Sequence, residues 1–327
     1  MSPFMPDQEL RQGVPRFYIR IFWALGLLVV PMLVPPFWAV AQVCVPGALL
    51  CLLEDLPPTR AVALLWLVTA ISLALSTVVG GVVGAVWILE ASGLWSVFWI
   101  CRRRNFSGPE TLLIGFLFLA TAFLFFLMVA SPKGFLYTYS KLKLSISKQM
   151  DLAYQQYIKM GIIKNGERTQ FKELFLEWKK GFLEYLPCFF ALSFAMVSGI
   201  NTAVARYIGK RFFNKEVFGP EFSHWKFPDE LIWLAIASGA LALWGHNPWN
   251  ILGKNALVFL GGIYYIQGIA ILAYHLKRLN IPAFLRGICY ALISLEWYGL
   301  LITAIVGLLD VWFDLRRTSQ PTSNQEK

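Results

Sequence analysis

The chain has 327 residues, 57% of them hydrophobic and 15% charged, with a mean hydropathy of +0.58. A soluble domain of this size needs far more polar surface, so the composition excludes one and points to an integral membrane protein. The formal net charge is +10, but the basic residues gather at the ends of apolar runs, a pattern of membrane topology rather than of nucleic-acid binding.

Nine apolar segments follow one another, at about 17–34, 37–53, 61–79, 82–100, 111–131, 182–204, 229–246, 255–276 and 287–312. Most approach the ~20 residues that a helix needs to cross the hydrocarbon core. The short alternating strands of a membrane barrel are missing. The expected fold is therefore all-α: a polytopic transmembrane bundle of eight or nine apolar segments with an amphipathic helical insertion. Its parts are a first membrane half (1–131), the insertion (132–181), a second membrane half (182–313) and a disordered tail (314–327).

The first two segments are short and meet at Pro35-Pro36, so one of them is a candidate re-entrant piece. Ala39-Val40-Ala41 resembles a signal-peptidase site, but the apolar run resumes at once, which favours a retained helix. The fourth segment carries Glu90 and ends at Arg102-Arg103-Arg104. After the fifth comes the insertion. There Leu142, Ile146, Met150, Ala153, Tyr157 and Met160 recur at helical spacing, as do Phe171, Leu174, Phe175, Trp178, Phe182 and Tyr185. Gly161 and Gly166 bracket the turn between these two amphipathic helices. The pair is expected to lie in the membrane interface or to form a cap over the bundle.

Further basic clusters close the sixth segment (Arg206, Lys210-Arg211) and the eighth (Lys277-Arg278), with Arg286 beyond. Compact clusters in short loops point to the cytoplasmic side. The stretch FSHWKFPDELIW opens the seventh segment. Pro228 suits a first helical turn, Asp229 and Glu230 suit the positive end of the helix dipole, and His224 and Trp225 read as interfacial anchors.

At ~100° per residue, Tyr264, Gln267, Tyr274, His275 and Arg278 share a stripe of the eighth segment with Gly261 and Gly268. Glu296, Gly299, Thr303, Gly307, Asp310 and Asp314 share one on the ninth. Lipid offers such groups no partner, so both stripes must face inward. Gln267 lies 11 residues before Arg278 and Glu296 lies 10 after Arg286, each about 15 Å from the interface. Glu90, 11 residues before Cys101, reaches a similar depth. The expectation is that Gln267 and Glu296 face each other or one cavity. Glu90, Tyr264, Gln267, Glu296 and Thr303 are then the candidate substrate-binding residues.

Nothing points to catalysis. The five cysteines show no CxxC spacing, the three histidines form no ligand motif, and no Walker loop, GxSxG or HExxH occurs. The expectation is a protein that is not an enzyme and carries no cofactor or metal.

Three stretches resemble the YybS-like family of bacterial multipass membrane proteins, a domain of unknown function. They are FSHWKFPDELIW (222–233), GGIYYIQGIAILAYHLKR (261–278) and GLLDVWFDLRR (307–317). The resemblance implies a bacterial cytoplasmic (inner) membrane protein. That family is in turn more weakly similar to the substrate-binding membrane subunits of energy-coupling-factor vitamin transporters. Their AxxxA docking patch is absent from the first segment here, where Ala24 is followed by Leu28, and the spacing occurs only as Ala70…Ala74. Three functions are weighed: a small-molecule-binding transporter subunit with an intramembrane polar site; a non-transporting scaffold that holds a membrane protein partner; and, ranked last for want of a nucleophile–base or metal constellation, an intramembrane enzyme. In every reading the chain lies in the lipid bilayer.

Overall fold

The computed structural model describes residues 7–33, 37–53, 56–162 and 168–316. The Pro35-Pro36 junction, residues 163–167 of the turn in the insertion and the tail from 317 onward lie outside them. Among the described residues the chain forms α1 (Asp7–Leu33), α2 (Trp38–Leu53), α3 (Pro58–Val79), α4 (Gly81–Arg103), α5 (Gly108–Val129) and α6 (Phe135–Lys159). There follow α7 (Arg168–Glu184), α8 (Leu186–Phe213), α9 (Leu231–Trp244), α10 (Trp249–Arg278), α11 (Ala283–Leu295) and α12 (Trp297–Phe313). No strand occurs among them.

Five helices are long and apolar enough to cross a membrane: α3, α4, α5, α8 and α10. The expected ninth segment is not one helix. It breaks at Glu296 into α11 and α12, bent by 106°, and counts as a sixth span only if the pair is taken together. The apolar parts of α1, α2 and α9 are shorter, at 10–17 residues.

The helices divide into two compact units. The first holds residues 1–122 and 194–219, and the second 123–193 and 220–327. In the first, Leu28, Leu49, Leu50, Leu64, Ile88, Leu94, Trp95 and Phe98 are almost wholly buried and form one core. The Trp87 indole donates to the Leu28 carbonyl at 3.0 Å, tying α4 to α1. Helix α5 starts on half of a capping box, the Glu side of it. The Glu110 carboxylate accepts from the Ser107 N–H at 2.7 Å and from its hydroxyl at 2.8 Å, which fixes the chain just after the Arg102–Arg104 cluster.

In α2, Pro46 lacks the N–H that the Gln42 carbonyl would otherwise accept. Asn201 of α8 repairs the gap. Its Nδ2 donates to the Gln42 carbonyl at 2.8 Å, and its Oδ1 accepts from the Gly47 N–H at 2.9 Å. The two backbones come so close that a Cβ at Gly47 would collide with the Asn201 carbonyl.

In the second unit, α6 and α7 pack as an antiparallel hairpin. Tyr154 stacks on Phe175 (ring centroids 4.7 Å) and Phe171 (6.1 Å), and Lys179 pairs with Asp151 at 2.7 Å. The expected apolar faces are only half used. Phe175 turns toward the partner helix, whereas Trp178 is 60% exposed.

Candidate functional site

Helices α10 and α12 meet at a seam of small residues. A Cβ at Gly268 would run into the Thr303 carbonyl, and one at Gly307 into that of Tyr264. Such close approach is how helices associate where lipid removes any hydrophobic incentive. It brings three polar side chains together. Gln267 and Asp310 have no exposed surface, and Arg316 keeps only 7%.

The Gln267 Nε2 donates to Asp310 Oδ2 at 3.0 Å, and Arg316 Nη2 donates to the same oxygen at 2.5 Å. Asp310 Oδ1 accepts from the Leu315 N–H at 2.9 Å. This bond closes the end of α12, where Asp314 takes a left-handed φ of 40°.

The other partners of this triad are backbone groups of the segment 222–230. It begins with one 3₁₀ turn, Phe222–His224, and then runs without helical bonds to the turn at Pro228. The Phe227 N–H donates to Gln267 Oε1 at 3.1 Å, and Arg316 Nη1 donates to the Trp225 carbonyl at 2.6 Å and more distantly to that of Ser223. Non-helical backbone at membrane depth is tolerated only where protein or water satisfies it. Gln267, Asp310 and Arg316 form a clasp that does so for this strap.

Several expectations are revised. Gln267 is paired with Asp310, not with Glu296, because the break after Leu295 ends the continuous stripe on which that pairing relied. Glu296 caps the start of α12 with no side-chain cap bond and is exposed. Trp225 is not an interfacial anchor. It is 3% exposed, enclosed beside Phe227 and Ser223, and its carbonyl is held by Arg316. Arg316, assigned to the tail, is part of the clasp.

Of the five candidate binding residues, Tyr264, Gln267 and Thr303 gather at the α10–α12 seam. The Tyr264 hydroxyl is buried and has no hydrogen-bond partner among the described residues. Glu296 lies at the α11–α12 break, next to Ser294, whose hydroxyl is 2.6 Å from that of Tyr265. Glu90 belongs to the first unit, where Gln42 Nε2 donates to its carboxylate at 2.7 Å. Sequence reasoning gave no role to Arg316, Asn201 or Asn255. Among the described residues no His, Cys, Asp and Glu side chains group closely enough to hold a metal ion.

The three stretches that carry the family resemblance, in the strap, in α10 and at the end of α12, all meet in the clasp. In comparison with known proteins, residues 21–311 match a family described as a predicted membrane protein (DUF2232). No curated protein and no solved structure matches the chain.

Proposed function

The chain belongs to this family of membrane proteins, DUF2232, and from that premise we propose that it is a small-molecule-binding transport protein. The site is the break between α11 and α12, and Glu296 is the residue that meets a cationic solute or a proton. The observation behind this reading is the 106° bend with a carboxylate at its apex. The Tyr265–Ser294 contact sets the apex beside a point 13 residues from the end of α10, or about 20 Å of rise. A carboxylate at such depth in hydrocarbon costs on the order of 3 kcal/mol or more. A water-lined path or a bound cation removes that cost. Helices interrupted near the midplane are also where many transporters hold substrates and coupling ions.

The clasp has a structural part in this reading. Gln267 and Thr303 hold the seam together, and the unpartnered Tyr264 hydroxyl is a further candidate contact for ligand. Glu90 is not assigned to the site. We read the protein as a binder and carrier rather than an enzyme, and place it in the bacterial cytoplasmic membrane through its resemblance to the YybS-like family. Kinship with energy-coupling-factor subunits is the weaker part. Ala24 and Leu28 are both sealed within the core of their own unit, although Ala70 and Ala74 are exposed on α3.

Native mass spectrometry of the detergent-extracted protein is the direct test. A retained small molecule that is lost in Glu296→Gln supports the proposal, while an empty protein leaving the membrane with a second polypeptide supports the scaffold. The open face of the α6–α7 hairpin is the observation that keeps the scaffold as the second reading.

A further inference from the structure

The hairpin formed by α6 and α7 leaves part of its apolar surface uncovered. Tyr157 is 51% exposed, Met160 70%, Leu174 63% and Trp178 60%. At ~100° per residue, Tyr157 and Met160 lie on one flank of α6 measured from Tyr154. Leu174 and Trp178 lie on the corresponding flank of α7 measured from Phe175. The helices run antiparallel, with Asp151 opposite Lys179 and Tyr154 opposite Phe175 and Phe171. Both flanks therefore open on the same side, as one continuous apolar face. Lys141, Lys148, Lys159 and Lys180 lie on the far side, among the exposed Leu144, Leu152 and Leu176.

The junction with α8 shows where this face points. In an unbroken helix the Cys188 N–H would bond to the Glu184 carbonyl. Both groups are taken by Asn255 of α10 instead, at 3.0 Å each. The turn between α7 and α8 is thus opened where Asn255 enters it. To one side of it Trp178, Phe182 and Phe189 form a ladder, with ring centroids 5.6 and 5.0 Å apart. The ladder joins the Trp178 side of α7 to the start of the candidate span α8. The hairpin also follows directly from the candidate span α5. Residues 132–181 contain ten Lys and Arg against four Asp and Glu, a net +6.

We propose that the α6–α7 hairpin is a lipid-docking module, whose open face of Tyr157, Met160, Leu174 and Trp178 lies in the headgroup region of an anionic bilayer. A broad apolar flank with the lysines gathered opposite it is the pattern of a helix lying in the interface plane. Attraction of the excess lysines to anionic lipid gives the docking its lipid and salt dependence.

The test uses the full chain in nanodiscs, with Cys44 and Cys289 replaced by alanine and the three buried cysteines kept. An environment-sensitive fluorophore is attached at Leu174→Cys or Trp178→Cys, and for comparison at Lys148→Cys or Lys180→Cys. The expected result is severalfold weaker quenching by aqueous iodide, and severalfold stronger quenching by nitroxide-bearing lipid, at 174 and 178 than at 148 and 180. The contrast should be larger with phosphatidylglycerol than in phosphatidylcholine alone, and should shrink in high salt. Equal iodide quenching on both flanks overturns the proposal. Protection from iodide without quenching by the lipid nitroxide also overturns it, because a protein surface then covers the face. Trypsin digestion of the unmodified chain is independent of labelling. Cleavage at Lys159, Arg168 and Lys172 should be severalfold slower in nanodiscs with phosphatidylglycerol, and equal rates in the two lipids count against the docking.

Discussion

Gln267 lies in the middle of a long apolar helix because a backbone next to it needs an acceptor. The Phe227 N–H would otherwise be buried without one, and Asp310 would lose a donor. Replacing Gln267 by leucine should therefore cost about 1–3 kcal/mol, the usual penalty for a stranded buried polar group. Arg316→Met is expected to be worse, about 3–5 kcal/mol, since it leaves the Asp310 carboxylate buried without its cation. Removing both charges, with Asp310→Leu and Arg316→Met together, should recover much of that loss because the two residues act as one unit. Thermal unfolding of detergent-solubilised variants measures all three. Additive losses in the double variant would show that the ion pair is not the source of the effect. The inward face of Gln267 was legible from helical periodicity alone. Its partner was not, because the arithmetic carried one helical frame from Glu296 to Asp310. The break fixes where Glu296 lies, and no local propensity in SLEWYG marks it.

At the scale of elements, a carboxamide stands opposite each of three breaks, and each break adjoins a proline. Asn201 serves the kink at Pro46, Asn255 the α7–α8 junction before Pro187 and after Glu184, and Gln267 the strap before Pro228. An amide carries both a donor and an acceptor, so Asn255 replaces both halves of one helical bond, Asn201 serves an orphaned carbonyl and a neighbouring N–H, and Gln267 joins the strap N–H to Asp310. Asn201→Leu should thus destabilise by about 1–3 kcal/mol in the presence of Pro46. In a Pro46→Ala background the same substitution should cost distinctly less, because alanine returns an N–H to the Gln42 carbonyl. Equal costs in the two backgrounds, read by thermal unfolding, would detach Asn201 from the kink. The prolines and their positions are plain in the sequence, as are the apolar helices around them. Which amide meets which break is set by contacts across as many as 159 positions, as between Asn201 and Gln42, and spacing along the chain carries no record of them.

For the whole molecule, three helices long and apolar enough to cross a membrane, together with one ion pair, predict a path through the bilayer. Helix α5, of 22 residues, separates the Arg102–Arg104 cluster from the hairpin. Helix α8, of 28 residues, returns the chain from the hairpin to Lys210 and Arg211. From there no span intervenes before Glu221, whose carboxylate pairs with Lys277 at the far end of α10. With α10 taken as a span, its 30 residues are to be matched by an inward passage of the strap and α9, of which α9 supplies only 14. The strap would then make up the missing depth, its backbone satisfied at the middle by the clasp. Single cysteines at Arg104→Cys, Arg211→Cys and Arg278→Cys should then all react alike with a membrane-impermeant maleimide on intact cells, and oppositely to Lys148→Cys. The clustering of Lys and Arg predicts that the first three are the protected, cytoplasmic set. Labelling of positions 104 and 148 from the same side would mean that α5 does not cross the membrane. Labelling of 211 and 278 from opposite sides would break the inference drawn from the Glu221–Lys277 pair, and with it the account of the strap as half of a membrane passage.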